Sequence, residues 1–154
     1  MDLIQQRAIQ PILVVEDSDE DYEATVRAFR KLQVDHRLIR CVDGDAAFRF
    51  LYHHTAQHDT DQPDQPSRPA IILLDLNLPG MDGRDVLRQI KTDANLKGIP
   101  VIILTTSNNP LDIQACYQEG ANTYVQKPLN LEQFYHMISV LYAYWFDVTA
   151  LPGV

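Results

Sequence analysis

Three short runs of the chain are apolar at every position: Ile12 to Val15, Ala70 to Leu74 and Val101 to Leu104. They are rich in β-branched side chains and each is followed by polar or turn-forming residues, which predicts strands buried on both faces. Two further runs, Arg37 to Val42 and Asn122 to Gln126, are interrupted by polar or charged residues. That pattern predicts strands at the edges of a sheet. Between the runs the apolar period lengthens to about 3.6 residues, as an amphipathic helix requires. Tyr22, Val26 and Phe29 define one apolar stripe, Ala47, Phe50 and Leu51 a second, and Val86, Leu87 and Ile90 a third. Asn109 can cap a helix with Pro110 at its first position and Gly120 beyond its end, and Asn130 with Gln133 resembles a capping box.

Strands thus alternate with helices in a (βα)5 order. Alternation of this kind implies an α/β fold with a doubly wound parallel sheet, built by right-handed crossovers. In such sheets ligands bind outside the carboxyl ends of the strands. The stretch from Thr55 to Pro69 carries Pro63, Pro66 and Pro69 among Gln, Asp and Ser, and is expected to be a mobile surface insertion. The division expected is an N-terminal extension over 1–9, one domain over 10–146 containing the 55–69 insertion, and a C-terminal tail over 147–154.

Composition narrows the function. The chain has 154 residues, 13 Lys and Arg against 21 Asp and Glu, and a net charge of −8. An acidic surface repels phosphate backbones and anionic lipid, so neither nucleic acid nor a membrane is an expected partner. The 45% apolar and 22% charged content is that of an ordinary globular domain. Cys41 and Cys116 lack metal-binding or disulfide-scaffold spacing, and the N-terminus has no basic start followed by an apolar core. A reducing cytoplasm is therefore the expected location.

The candidate chemistry gathers at the predicted strand ends. After the first strand comes Glu16-Asp17-Ser18-Asp19-Glu20-Asp21. Acids in a first helical turn are explained by the helix dipole, which accounts for Asp19, Glu20 and Asp21. It leaves Glu16 and Asp17 at the strand end, in the same layer as Asp75 after the third strand. Two like charges about 4 Å apart cost about 4 kcal/mol at an effective dielectric of 20, so a cation is expected among them. An all-oxygen donor set selects a hard ion, and magnesium takes few carboxylates while keeping waters or a phosphate oxygen. Thr105 ends the fourth strand, and Lys127, followed by Pro128, ends the fifth. A carboxylate nucleophile, a divalent ion, a hydroxyl and a lysine on one rim suit phosphoryl transfer.

The segments ILVVEDSDED, IILLDLNLPGMDG, IPVIILTTS and GANTYVQKP resemble those of two-component response-regulator receiver domains, over nearly the whole chain from Pro11 to Trp145. The resemblance implies the flavodoxin-like strand order 2-1-3-4-5. It also implies that Asp75 is the phosphoacceptor, receiving a phosphoryl group from a sensor histidine kinase. By the same likeness Asp17 is a direct magnesium ligand, Glu16 holds the ion through water, and Asn77 offers its backbone carbonyl. Thr105 matches the switch hydroxyl, Tyr124 the switch aromatic and Lys127 the ion-pairing lysine. Family members usually have a cis bond at this turn, which makes Lys127–Pro128 a cis candidate. The segment LYAYWFDVTALP, with LLDLNLPGMDGRDVL and VIILTTSNN, resembles the small receivers paired with cyanobacterial phytochromes. That implies a bilin-carrying, light-sensing kinase as donor. Too few residues follow the fifth helix for a DNA-binding output domain, so a stand-alone receiver is expected, one that is not an enzyme beyond its own phosphorylation and dephosphorylation.

Of thirteen Phe, Tyr and Trp residues, six lie between Phe134 and Phe146. Phe134, Ile138, Leu141 and Trp145 form one stripe that a core can absorb. Tyr135, Tyr142 and Phe146 form a second, which predicts a homodimer through Tyr142, Trp145 and Phe146 or, alternatively, a stripe covered by the tail. Other functional readings are an unphosphorylated scaffold, a haloacid-dehalogenase-like phosphatase and a flavodoxin. The second lacks a general acid two positions after Asp75, where Asn77 stands. The third would need a phosphate-binding loop where this chain has acids.

Overall fold

A computed structural model of the chain describes residues 9–56 and 68–152. The elements follow in the order β1 (Ile12–Val15), α1 (Asp19–Leu32), β2 (Leu38–Cys41), α2 (Gly44–Ala56), β3 (Ile71–Leu74), α3 (Gly83–Thr92), β4 (Val101–Thr105), α4 (Pro110–Gln118), β5 (Thr123–Gln126) and α5 (Leu131–Tyr142). All four strand pairings are parallel and the sheet order is β2-β1-β3-β4-β5, the order expected. β1, β3 and β4 are buried throughout, while β2 and β5 are mostly half-buried. The apolar runs are thus the interior strands and the interrupted runs the edges.

Strand alternation divides the core into two layers. Leu13, Val15, Ile72, Leu74 and Ile103 face Ala47, Phe48 and Leu51 of α2 and Val86, Leu87 and Ile90 of α3. Ile12, Val14, Ile71, Leu73, Ile102 and Leu104 face Ala28 and Phe29 of α1 and Phe134 and Ile138 of α5. Each fully buried side chain of this size contributes about 1.5–3 kcal/mol by leaving water. In α2 the stripe differs by one position from the expected one: Phe48 is buried at 6% exposure, and Phe50 is half-buried at its margin. Positions 44, 47, 48 and 51 share the inward face, and a phenylalanine at 50 sits to its side.

Helix starts are fixed by side-chain caps. The Ser18 hydroxyl accepts from the Asp21 amide (3.3 Å), the Asn109 side chain from the Leu111 amide (3.0 Å), and the Asn130 side chain from the Gln133 amide (3.1 Å). Gly120, beyond α4, has φ +100°, a conformation open to glycine.

α5 does not stop at Tyr142 but widens into a π-type turn over Ala143–Val148, closed by the Thr149 amide on the Tyr144 carbonyl at 2.8 Å. The wider turn goes with a split fate for the aromatic residues. Trp145 is buried at 7% exposure in the α1–α5 layer, although its indole N–H finds no acceptor among the described residues. Tyr142 and Phe146 are half-buried and stacked at 4.8 Å, with Phe29 against the first ring (6.2 Å) and His36 against the second (4.1 Å).

Three expectations meet the structure here. Trp145, named for a dimer interface, is taken up by the core of its own chain. No cis peptide occurs among the described residues, so Lys127–Pro128 is trans, the isomer favoured by about 0.5–1 kcal/mol before proline. The 55–69 insertion and the 1–9 extension lie mostly outside the described residues. No helix among those residues is long and apolar enough to cross a membrane.

Gly83 fixes the approach of α3 to the rim of the sheet. A Cβ there would collide with the Asp75 carbonyl oxygen and lie 2.6 Å from Cα and 2.9 Å from the carbonyl oxygen of Leu76. Backbone cannot swing aside as a side chain can. Gly83→Ala is therefore expected to lower stability by roughly 1–3 kcal/mol, the range for overpacking. The urea midpoint measures this, and an unchanged midpoint would show that the turn before α3 relaxes freely.

Candidate functional site

Parallel register brings the strand ends to one rim. Val15 pairs with Leu74 and Cys41, Leu74 with Ile103, and Thr105 with Gln126, so the residues that follow emerge side by side. Glu16 and Asp17 leave β1, Asp75 leaves β3, Thr105 ends β4 and Lys127 follows β5. Lys127 is buried at 6% exposure, and its amide donates to the Thr105 carbonyl at 2.6 Å.

The ammonium of Lys127 donates to three carboxylates: Glu16 Oε2 at 2.6 Å, Asp21 Oδ2 at 2.8 Å and Asp75 Oδ2 at 3.0 Å. These use all three of its protons. Glu16 Oε1 accepts from the Ser18 amide (3.0 Å), and Asp75 Oδ1 from the Asn77 amide (3.2 Å). Glu16 and Asp75 are buried at 4% and 7% exposure, whereas Asp17 is open to solvent.

Burial pushes the Glu16 carboxyl up to about 7, even though the bond and charge of Lys127 pull the other way and Asp75 adds repulsion. Burial also opposes the charge on Lys127. The hydrogen bonds to Asp21 and Glu16 and the charges of Asp75 and Glu16 outweigh it, and the lysine is held well above its ordinary range. One cation therefore serves three acids, and a fourth, Asp17, has its ligand atom close by.

One oxygen from each of Glu16, Asp17 and Asp75 lies within 4.8 Å of the others. Three carboxylates converging without sulfur or imidazole fit a hard divalent ion. Asn77 is exposed, and the hydrogen bond from its backbone N–H to Asp75 Oδ1 keeps its backbone beside that carboxylate.

The hydroxyl side of the rim is equally organised. Thr105 is fully buried, and its Oγ1 accepts from the Ser107 amide at 3.4 Å, which leaves its own proton to donate. The Ser107 hydroxyl donates to Asp112 (2.7 Å) and accepts from the Asn109 amide (3.2 Å). The Tyr124 hydroxyl donates to the Ser107 carbonyl (2.8 Å), with its half-buried ring packed on the α2–α3 face of the core. Burial raises the Tyr124 hydroxyl above its usual value, so it is a donor at neutral pH.

The structure thus brings Glu16, Asp17, Asp75 and Lys127 together, with Thr105 and the Asn77 backbone adjoining them and Pro128 half-buried after the lysine. Tyr124 reaches the same rim through Ser107. Tyr142, Trp145 and Phe146 pack in the α1–α5 layer and take no part. Two residues escaped the sequence reading. Asp21, attributed to the helix dipole, is a direct partner of Lys127. Arg40, read as an edge-strand charge, bonds the backbone of the acidic loop.

The model of the response regulator receiver domain matches residues 12–139. The chain belongs to that family. Among its relatives is response regulator Rcp1 of Synechocystis, 41% identical over 142 residues that cover 92% of each chain. A crystal structure of the Mn(2+)-bound form of Rcp1 covers 94% of this chain and 99% of its own, at 40% identity and a TM-score of 0.81. A crystal structure of the phosphorylated cyanobacterial phytochrome response regulator RcpA covers 95% of this chain and all of its own, at 36% identity and a TM-score of 0.83. The receiver described here is thus related to phytochrome response regulators.

Removing the shared cation of the receiver's rim should leave buried carboxylates unpaired. Lys127→Ala is expected to cost about 3 kcal/mol near pH 8, within the range for breaking a buried ion pair. A carboxyl raised from 4.5 to about 7 contributes stability that is fully present below 4.5 and lost as pH climbs through 7. At about pH 5 Glu16 therefore keeps its proton, fewer charges are stranded, and the variant should lose less. Urea denaturation at both pH values checks this; equal losses would mean that Lys127 acts through packing alone.

Proposed function

We propose that this receiver accepts a phosphoryl group on Asp75 from the phosphohistidine of a sensor histidine kinase of the phytochrome type, with magnesium bound, and signals by protein contact. The observation that carries the reading is the convergence of Glu16, Asp17 and Asp75 on one point beside the Lys127 ammonium. The kinship with Rcp1 and RcpA supports the choice of donor class.

The carboxylates of Glu16, Asp17 and Asp75 and the carbonyl of Asn77 would hold the ion. When bound, magnesium supplies the positive charge that lets an anionic phosphoryl group approach a cluster of acids. An Asp75 oxygen forms the new bond to phosphorus as the phosphorus–nitrogen bond of the donor breaks, and the imidazole leaves with that electron pair. Lys127, already bonded to Asp75, offsets charge gathering on the phosphoryl oxygens. Thr105 donates its hydroxyl proton to one of them, and its movement is passed to Ser107 and Tyr124.

Asp75→Asn removes the nucleophile but keeps the side chain's shape. It should fold normally and take no label from an autophosphorylated kinase, while the parent chain is labelled only when magnesium is present. Labelling of the variant, or of the parent in excess chelator, would sink the assignment.

Self-association belongs to the same reading. With Trp145 in the core, the rims of Tyr142 and Phe146 remain for a homodimer. Val140, Tyr144 and Val148, four residues apart and 53%, 52% and 76% exposed, form a separate stripe on roughly the opposite side of the helix. Tyr142→Ser with Phe146→Ser should convert a dimer into a folded monomer by light scattering, whereas Val140→Ser with Tyr144→Ser should leave it dimeric. A dimer that survives the first pair of changes must use another face.

A further inference from the structure

Arg40 lies on β2, paired with Val14 of β1, and its side chain crosses the sheet edge to the loop that follows β1. Its guanidinium makes three contacts there. Nε donates to the Glu16 carbonyl at 3.0 Å, Nη2 donates to the Asp17 carbonyl at 3.2 Å, and Nη1 pairs with Asp19 Oδ1 at 2.8 Å. Its carbon centre rests over the Tyr22 ring at 4.8 Å, which fixes the plane of the fork from the helix side. The side chain is only 21% exposed, whereas its partner Asp19 is 85% exposed.

An edge-strand arginine that merely kept the sheet soluble would point its charge into water. This one spends its donors on the main chain of the two residues whose carboxylates face Asp75. Without those bonds the carbonyls of Glu16 and Asp17 would need other partners, and the loop would lose the restraint that sets where both carboxylates point. We propose that Arg40 is a positioning residue of the ion site, holding the Glu16–Asp17 backbone so that the two side chains meet Asp75. This inference rests on reading the acidic cluster as a site for a divalent cation. It adds a residue that touches neither ion nor phosphoryl group.

The proposal has a sign that a purely electrostatic role does not share. A guanidinium beside a cation site repels the cation, so as a bare charge Arg40 would weaken binding and its removal would tighten it. As a fork that holds the backbone it strengthens binding, and a lysine cannot replace it because a point charge lacks the planar set of donors.

Titration calorimetry with magnesium, near pH 8, on the parent chain, Arg40→Lys and Arg40→Gln separates the cases. Both variants should bind magnesium about tenfold or more weakly, as expected when a residue supporting the ligands is removed. With a small acyl phosphate as donor, both should need more magnesium for half-maximal phosphorylation of Asp75 yet reach nearly the parent rate at saturation. Circular dichroism reports folding. Should the glutamine variant fail to fold, the lysine variant, which keeps the charge and the alkyl stem, decides alone. Unchanged affinity in Arg40→Lys, or tighter binding by Arg40→Gln, overturns the positioning role. A parent chain that binds no magnesium overturns the ion-site reading itself and this inference with it.

Discussion

Everything at the rim of this sheet follows from one shortage: a single buried ammonium stands among more carboxylates than it can neutralise. Lys127 gives its three protons to Glu16, Asp21 and Asp75, all within 3.0 Å, while Asp17 contributes a fourth negative charge nearby. In a low-dielectric setting an unmatched charge is costly, and the site answers in two ways. Glu16 keeps its proton toward neutrality, and the remaining oxygens point at a common position where a divalent ion would be welcome. With the same imbalance, an anionic group could approach this rim only if a second cation came with it. The lysine alone is already fully engaged.

The shortage is imposed by the fold. Five parallel strands all end on the same side, so whatever follows each of them is crowded onto one rim. Glu16 and Asp75 leave neighbouring strands in register, and Lys127 arrives from two strands away with its own amide tied to Thr105. The apolar strands beneath supply the burial, and Gly83 lets α3 close on the Asp75 backbone. Stability and function meet here, because the packing that excludes water is also what makes the charges interact strongly.

Much of this was legible in the sequence. Buried strands read as unbroken apolar runs, edges as interrupted ones, and the carboxyl-end rule alone groups Glu16, Asp17, Asp75, Thr105 and Lys127 on one rim. What escaped has a common cause. Asp21 is the third residue of α1, and helical side chains lean toward the helix N-terminus, so it reaches back over the rim. The helix dipole explained its charge well enough to hide that direction. Arg40 looked like a solvent-facing edge residue because period-two patterning says which face a side chain takes but not how far a long one reaches. The 3.6 period put Trp145 in the core stripe with Phe134 and Ile138, where it lies, and only its further assignment to a dimer interface, made on its size and its place beside Tyr142 and Phe146, fails. Phe50 displaced Phe48 in the reading of α2 because neighbouring phenylalanines give the same apolar signal.

The hydroxyl side of the rim shows how a change at Asp75 can reach the surface. Thr105 is fully buried, so it cannot move alone in a close-packed interior. Its oxygen is bonded to the Ser107 amide, the Ser107 carbonyl holds the Tyr124 hydroxyl, and the Ser107 hydroxyl holds Asp112, which lies 3.5 Å from Arg84 of α3. Ser107 is thus the point where Thr105, the edge-strand Tyr124 and the Arg84–Asp112 ion pair are tied. A pull on Thr105 toward Asp75 must lengthen one of these bonds or carry all three partners with it. Short-range bonds in a close-packed interior favour discrete arrangements, so such a pull would select between two packings rather than bend one gradually. The Tyr124 amide donates to the Tyr117 hydroxyl at 3.1 Å, so a displaced Tyr124 would be felt at a residue that is 49% exposed on α4.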